Sequence, residues 1–207
     1  MTVTIVDTPL GPGRTTTSTP GGAVRGTLVL GHGAGGLRWT DDVQRVRDAA
    51  VDAGWLVVLV DQPWRVAGRR VGPAPAALDR AWTVVVDAVV VGDVRRPLVL
   101  GGRSAGARVA CRTAVALGAD AVLALSFPLH PPGSPEKSRA QELLAPTASG
   151  IAVHVVQGRT DPFGAPAEVE AVLPSGASVD AVPAPHSLER VADEVAGHVR
   201  TWLATLG

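Results

Sequence analysis

Residues 97–112 read PLVLGGRSAGARVACR. The apolar run Pro97–Leu100 suits a buried strand. Residues 105–117 carry a helical period, with Arg108 and Arg112 one turn apart on the solvent side. Between them, Gly102-Arg103-Ser104-Ala105-Gly106 fits the pattern G-x-S-x-G. A chain that turns this sharply from strand to helix needs small residues on both sides of the serine. The turn lifts the serine hydroxyl above the sheet, and the helix N-terminus beneath it favours developing negative charge. In a chain with 24 glycines the pattern alone is weak, and a chance glycine-rich turn is the competing reading. The strand before it and the helix after it decide for Ser104 as a nucleophile.

Working outward, short apolar runs at Val24–Leu30, Trp55–Val60, Ala121–Leu125, Ile151–Val156 and Ser178–Val182 alternate with helical periods. Most runs are continuously apolar, the pattern of strands covered on both faces. Thr40 is placed to cap a helix whose first turn holds Asp41 and Asp42. Leu78, Ala81, Trp82, Val85 and Val89 form a second stripe. Leu188, Val191, Val195, Val199, Trp202 and Leu206 form the stripe of the last helix. This alternation predicts a three-layer α/β fold with a mostly parallel sheet. Val3–Val6 and Arg14–Thr17 flank a Pro-Gly turn, which predicts an antiparallel hairpin at the sheet edge. No linker divides the chain, so residues 1–207 are expected to form a single domain.

In such sheets, ligands sit at the carboxyl ends of the strands. A serine nucleophile needs a base, and the base needs an orienting acid. Asp161 follows one strand, in GRTDP, and His186 follows the last, in PAPHS. Both come after Ser104 in the order serine, acid, histidine. Taken singly, Asp161 could form an Asx turn before Pro162, and His186 could simply start a helix. His32, which precedes Ser104, His154 inside a strand, and His198 on the flank of the last helix are weaker candidates for the base. The oxyanion donors are expected to be the Ala105 N–H and one from the loop GHGAGG (Gly31–Gly36), with Ala34 first and Gly33 second. His130, Arg103, Trp64 and Trp39 are candidates for substrate contact.

The same loop sustains a rival reading. Gly31, Gly33 and Gly36 match G-x-G-x-x-G, and Asp61 ends the next strand, where a ribose-binding acid belongs. Against a dinucleotide-binding protein, the following helix is expected to start only near Thr40. That reading also leaves Ser104, Asp161 and His186 without a role.

Composition narrows the chemistry further. The one cysteine, Cys111, excludes an intramolecular disulfide, an iron–sulfur cluster and a cysteine-based zinc site. The one lysine, Lys137, sits in a proline-rich segment unsuited to a P-loop or a Schiff base, and there is no tyrosine. No metal or other cofactor is expected. A formal net charge of zero gives no electrostatic case for nucleic acid or an anionic membrane. Residues 1–10 lack a basic start and a long apolar stretch, so a cytoplasmic setting is expected. Oligomeric state is left open.

GHGAGG, GGRSAGARVA (Gly101–Ala110), SFPLHPPGSPEKSR (Ser126–Arg139), QGRTDPFG (Gln157–Gly164) and His186-Ser187-Leu188 together resemble the α/β-hydrolase superfamily. The resemblance runs from about residue 24 to the C-terminus and is most specific at PLHPPG (Pro128–Gly133). It is to the dienelactone-hydrolase-like branch, which includes a testis-expressed animal protein and a subunit of the animal NSL chromatin complex. It implies an α/β-hydrolase fold and Ser104, Asp161 and His186 as triad positions. The enzymes that named the branch use cysteine where this chain has Ser104. Because some relatives act as scaffolds, a non-catalytic role is the alternative to a serine esterase acting on a small-molecule ester or thioester.

Only residues 126–150 separate two strands where this fold usually carries a lid, and Glu136–Leu144 can make one short helix. A large cap domain is therefore not expected, and the site should be open. Arg38, Arg65, Arg69, Arg70, Arg103 and Arg159 fall near the expected rim, which suggests an anionic substrate. With 18 arginines in the chain, most rim arginines are expected to be structural.

Overall fold

Every residue of β3 (Gly26–Gly31) is buried, and its side chains alternate between two cores. Leu28 and Leu30 join Val43, Val46, Val195 and Val199, whereas Val29 joins Val85, Val109, Leu143 and Val169 on the other side. A strand covered on both faces has no solvent side to keep polar, which explains the continuous apolar runs. The structure, a computed structural model, describes residues 1–175 and 177–206, and its sheet has eight strands, buried at the centre and exposed at the N-terminal edge strand.

The strand order is β1 (Thr2–Thr8), β2 (Gly11–Ser18), β4 (Trp55–Asp61), β3, β5 (Leu98–Arg103), β6 (Ala121–Leu125), β7 (Ala152–Gly158) and β8 (Ser178–Val182). The pairs β1–β2 and β2–β4 are antiparallel, and the rest of the sheet is parallel. Helices α1 (Asp41–Asp52) and α7 (Ala192–Leu203) cover one face. Helices α3 (Pro75–Asp93), α4 (Ala105–Thr113), α5 (Ala140–Ala148) and α6 (Pro166–Val172) cover the other. A four-residue helix α2 (Pro63–Val66) follows β4. The three layers and the edge hairpin are those expected.

Several boundaries differ for local reasons. The first parallel strand starts at Gly26 rather than Val24, with Gly26 packed so tightly that a Cβ there would lie 2.6 Å from the Trp55 ring. The helix expected over Glu136–Leu144 starts at Ala140. Residues 131–137 instead make two successive turns, Ser134 N–H to the Pro131 carbonyl and Lys137 N–H to the Ser134 carbonyl. Arg139 is then pinned to the preceding loop, its N–H donating to the Leu129 carbonyl and its guanidinium to the Pro128 carbonyl. A 3₁₀ turn at Glu189–Val191 separates His186 from the last helix, which begins at Ala192. Thr40 does precede α1, but its side chain makes no capping bond. Among the described residues, α5 is the only helix between β6 and β7, so no cap domain covers the sheet. No described helix is long and apolar enough to cross a membrane.

Candidate active site

The chain leaves β3 toward β4 on one side, then crosses back over β3 to β5 on the other. The loops after β3 and β5 therefore face each other across the switch point, where an α/β sheet opens a crevice. Ser104 sits there with φ 53° and ψ −109°, a conformation that costs a non-glycine residue about 1–3 kcal/mol. Its N–H donates to the Leu125 carbonyl at 2.9 Å. The flanking glycines let β3 run directly against the start of α4. A Cβ on Gly106 would lie 2.5 Å from the Gly31 carbonyl carbon and oxygen, and one on Gly102 would lie 2.5 Å from the Gly31 oxygen.

Three distant segments converge at this turn. The Ser104 hydroxyl lies 2.9 Å from His186 Nε2, and His186 Nδ1 lies 2.8 Å from Asp161 Oδ2. The Asp161 side chain is fully buried and that of His186 is 20% exposed. Asp161 makes the Asx turn and also lies within hydrogen-bond distance of His186. Its Oδ1 accepts the Phe163 N–H at 2.9 Å in an Asx turn, which leaves Oδ2 for the imidazole. Gln157, at the end of β7, donates from Nε2 to the same Oδ2 at 3.0 Å, and that nitrogen also faces the Phe127 and Gly164 carbonyls. Sequence reasoning missed Gln157, because a single amide at a strand end carries no pattern of its own. The Phe163 ring packs against the imidazole with centroids 4.4 Å apart.

Gly33 lies close to the serine. A Cβ on Gly33 would be 3.7 Å from Ser104 Cβ. His32 holds this loop through a fixed tautomer. Its Nδ1–H donates to the Gly33 carbonyl at 2.8 Å, and its Nε2 accepts the Gln62 N–H at 3.1 Å. Burial pushes the His32 pKa down to about 4, so the ring is neutral in neutral solution. In a trans peptide the N–H points opposite to the carbonyl, so the Ala34 N–H faces away from the His32 ring. Ala34 and Ala105 line one cavity of about 450 Å³, walled by Trp64, Leu78, Trp82 and Val109.

The other sequence candidates are held by partners of their own. Arg103 is held by Asp42, Nε to Oδ2 at 3.1 Å, and by the His186 carbonyl at 3.2 Å. It braces the histidine loop against α1, because the second carboxylate of that helix is buried beneath it. His130 has both ring nitrogens engaged, Nδ1 with the Pro131 carbonyl and Nε2 with Glu168, and so ties its loop to α6. Those two partners raise its pKa, the Pro131 carbonyl most. Trp39 packs edge-on against His32 and lies under the Arg65 guanidinium. Trp64 also packs against His32 and reaches the cavity wall. Arg38 pairs with Glu189 and Arg65 with Asp61, which removes two more arginines from the expected anionic rim.

Asp61 is buried and also binds Arg14 at 2.7 Å, so its carboxylate is engaged where a ribose would need it. The helix after GHGAGG starts only at Asp41, so the glycines open no helix for a pyrophosphate. Both features remove the basis of the dinucleotide reading. Among the described residues, no group of three or more histidine, cysteine or acidic side chains is arranged to hold a metal ion.

A family model described as an alpha/beta hydrolase domain matches residues 24–199. None of the curated proteins matches the sequence. Among solved structures, the chain is similar to an alpha-beta serine hydrolase homologue from Coxiella burnetii, at 16% identity and TM-score 0.79, over 98% of this chain and 97% of that one. It is similar to a serine hydrolase without lid from Xanthomonas campestris, at 19% identity and TM-score 0.75, over 99% and 94%. Est1E from Butyrivibrio proteoclasticus shares 14% identity with TM-score 0.77, over 100% and 99%. At these identities the likeness is one of fold.

Proposed function

The chain belongs to the alpha/beta hydrolase domain family, and from that premise we propose that it is a serine hydrolase cleaving carboxylic esters or thioesters through a covalent acyl-enzyme. The carrying observation is the run of two short contacts from Ser104 Oγ to His186 Nε2 and from His186 Nδ1 to Asp161 Oδ2. A scaffold that merely kept the fold would give no reason for three segments to meet at those atoms.

In this mechanism Ser104 Oγ attacks the substrate carbonyl while its proton passes to His186 Nε2. The new C–O bond places a negative charge on the carbonyl oxygen. The Ala105 and Ala34 N–H groups, with Gly33 as second choice, hold that oxyanion. Each such donor supplies about 10²–10³ in turnover. Asp161 fixes the imidazole tautomer and stabilises the imidazolium. The tetrahedral species collapses, the bond to the leaving oxygen or sulfur breaks, and His186 returns the proton to it. Water then repeats the sequence on the acyl-serine and releases the acid. No cofactor enters.

Within the family we place the chain in the dienelactone-hydrolase-like branch, on the PLHPPG segment whose His130 and Pro128 fasten the loop beside the triad. We take residues 1–207 as one domain acting on a small molecule in the cytoplasm. Ser104→Ala is expected to lower turnover of a 4-nitrophenyl ester by about 10⁴–10⁶ with the fold intact by circular dichroism. Full turnover in that variant would end the proposal.

A further inference from the structure

Most arginines near the crevice have a carboxylate partner. Arg38 faces Glu189, Arg65 faces Asp61, Arg103 faces Asp42, and Arg108 makes a two-pronged contact with Glu142 at 2.6–2.7 Å. Arg70 is different. It lines the cavity of about 450 Å³ beside Ala34 and Ala105, and no described carboxylate pairs with it. The remaining wall is largely apolar, with Trp64, Leu78, Trp82 and Val109.

The sheet order says which half of a substrate this cavity receives. The cavity lies on the β4 side of β5, between the β3 loop, α3 and the start of α4. Asp161 and His186 come from the other side, after β7 and β8. The leaving oxygen must face His186 to take its proton. An acyl chain on the opposite side of the reacting carbon has the cavity lined by Ala34 and Ala105 within its reach.

We propose that Arg70 selects substrates whose acyl chain is apolar in its middle and carries a carboxylate at its far end, such as monoesters of aliphatic dicarboxylic acids. This rests on the serine-hydrolase reading above. The chain body displaces water from the tryptophan and leucine wall, and the guanidinium forks onto the terminal carboxylate. The exposed position of Arg70 makes the effect modest and dependent on salt.

The test compares 4-nitrophenyl hydrogen glutarate, adipate and suberate with the neutral 4-nitrophenyl pentanoate, hexanoate and octanoate. The ratio of kcat/KM for the best acid ester to that for its neutral counterpart should exceed one. It should fall about tenfold in Arg70→Gln, recover in part in Arg70→Lys, and shrink in 0.5 M salt. Arg69→Gln, on the neighbouring cavity, should keep the ratio. A preference for neutral esters, or an Arg70→Gln ratio equal to wild type, overturns the proposal. Binding of the free dicarboxylates, followed by tryptophan fluorescence, separates the two readings. Arg70-dependent binding without hydrolysis of any ester keeps the pocket and ends the hydrolase assignment. Absence of both Arg70-dependent binding and Arg70-dependent rates ends the pocket.

Discussion

Gly106 and Asp161 show how single residues constrain this site. The Gly106 α-carbon sits against the Gly31 backbone, and both partners are main chain, so neither can swing aside. Gly106→Ala should therefore cost about 3 kcal/mol of stability by overpacking, read as a lowered urea midpoint. A loss below about 1 kcal/mol would mean that the turn is looser than its geometry implies. Asp161→Asn keeps the volume but presents an amide to His186 Nδ1, which favours the wrong tautomer. Turnover should fall by about 10⁴, and stability by about 1–3 kcal/mol because the buried amide also faces the Gln157 Nε2 donor. Only a several-fold loss would remove Asp161 from the proposed triad.

At the scale of elements, the β3 loop is held by a neutral histidine. His32 has a folded pKa of about 4 against 6.5 for the free side chain, because burial disfavours its charge. Above pH 6.5 both states are neutral and stability is unaffected. As the pH falls from 6.5 toward 4 the unfolded chain takes a proton that the folded chain refuses, and stability drops by about 1.4 kcal/mol per pH unit. Below about 4 this loss levels off near 3 kcal/mol in total. His154, buried between β7 and the Trp202 ring stacked 4.9 Å away, is also held below its ordinary pKa by burial and adds to the slope. Urea midpoints at pH 7.5, 6 and 5 should decline in that order, and less steeply in His32→Asn; a flat profile would contradict the neutral assignment. Elements also explain what was legible in the sequence. The meeting of Ser104, Asp161 and His186 could be anticipated because each follows an apolar run at the carboxyl edge of the sheet. Gln157 could not, since an amide at a strand end has no periodicity of its own. Helices α2 and α6, of four and seven residues, are too short to carry an amphipathic stripe. Arg103 and Asp42 could not be paired in advance, because an ion pair between a loop and a helix leaves no pattern in the sequence.

For the whole molecule, a strand order that crosses back over β3 creates one crevice and sorts its contents. The Gly33–Ala34 loop and the apolar cavity come from the β3 and β4 side, and His186 and Asp161, the proposed base and acid, come from the β7 and β8 side. With no cap domain among the described residues, Ser104 is left partly exposed at the crevice. A bulky phosphonate should therefore meet no lid on its way to the nucleophile. The most direct measurement is intact-mass and peptide analysis after incubation with a fluorophosphonate probe. One equivalent of label is expected on the peptide containing Ser104, and none in Ser104→Ala. Folded wild-type protein that takes no label, or label that persists in Ser104→Ala, would contradict Ser104 as the nucleophile.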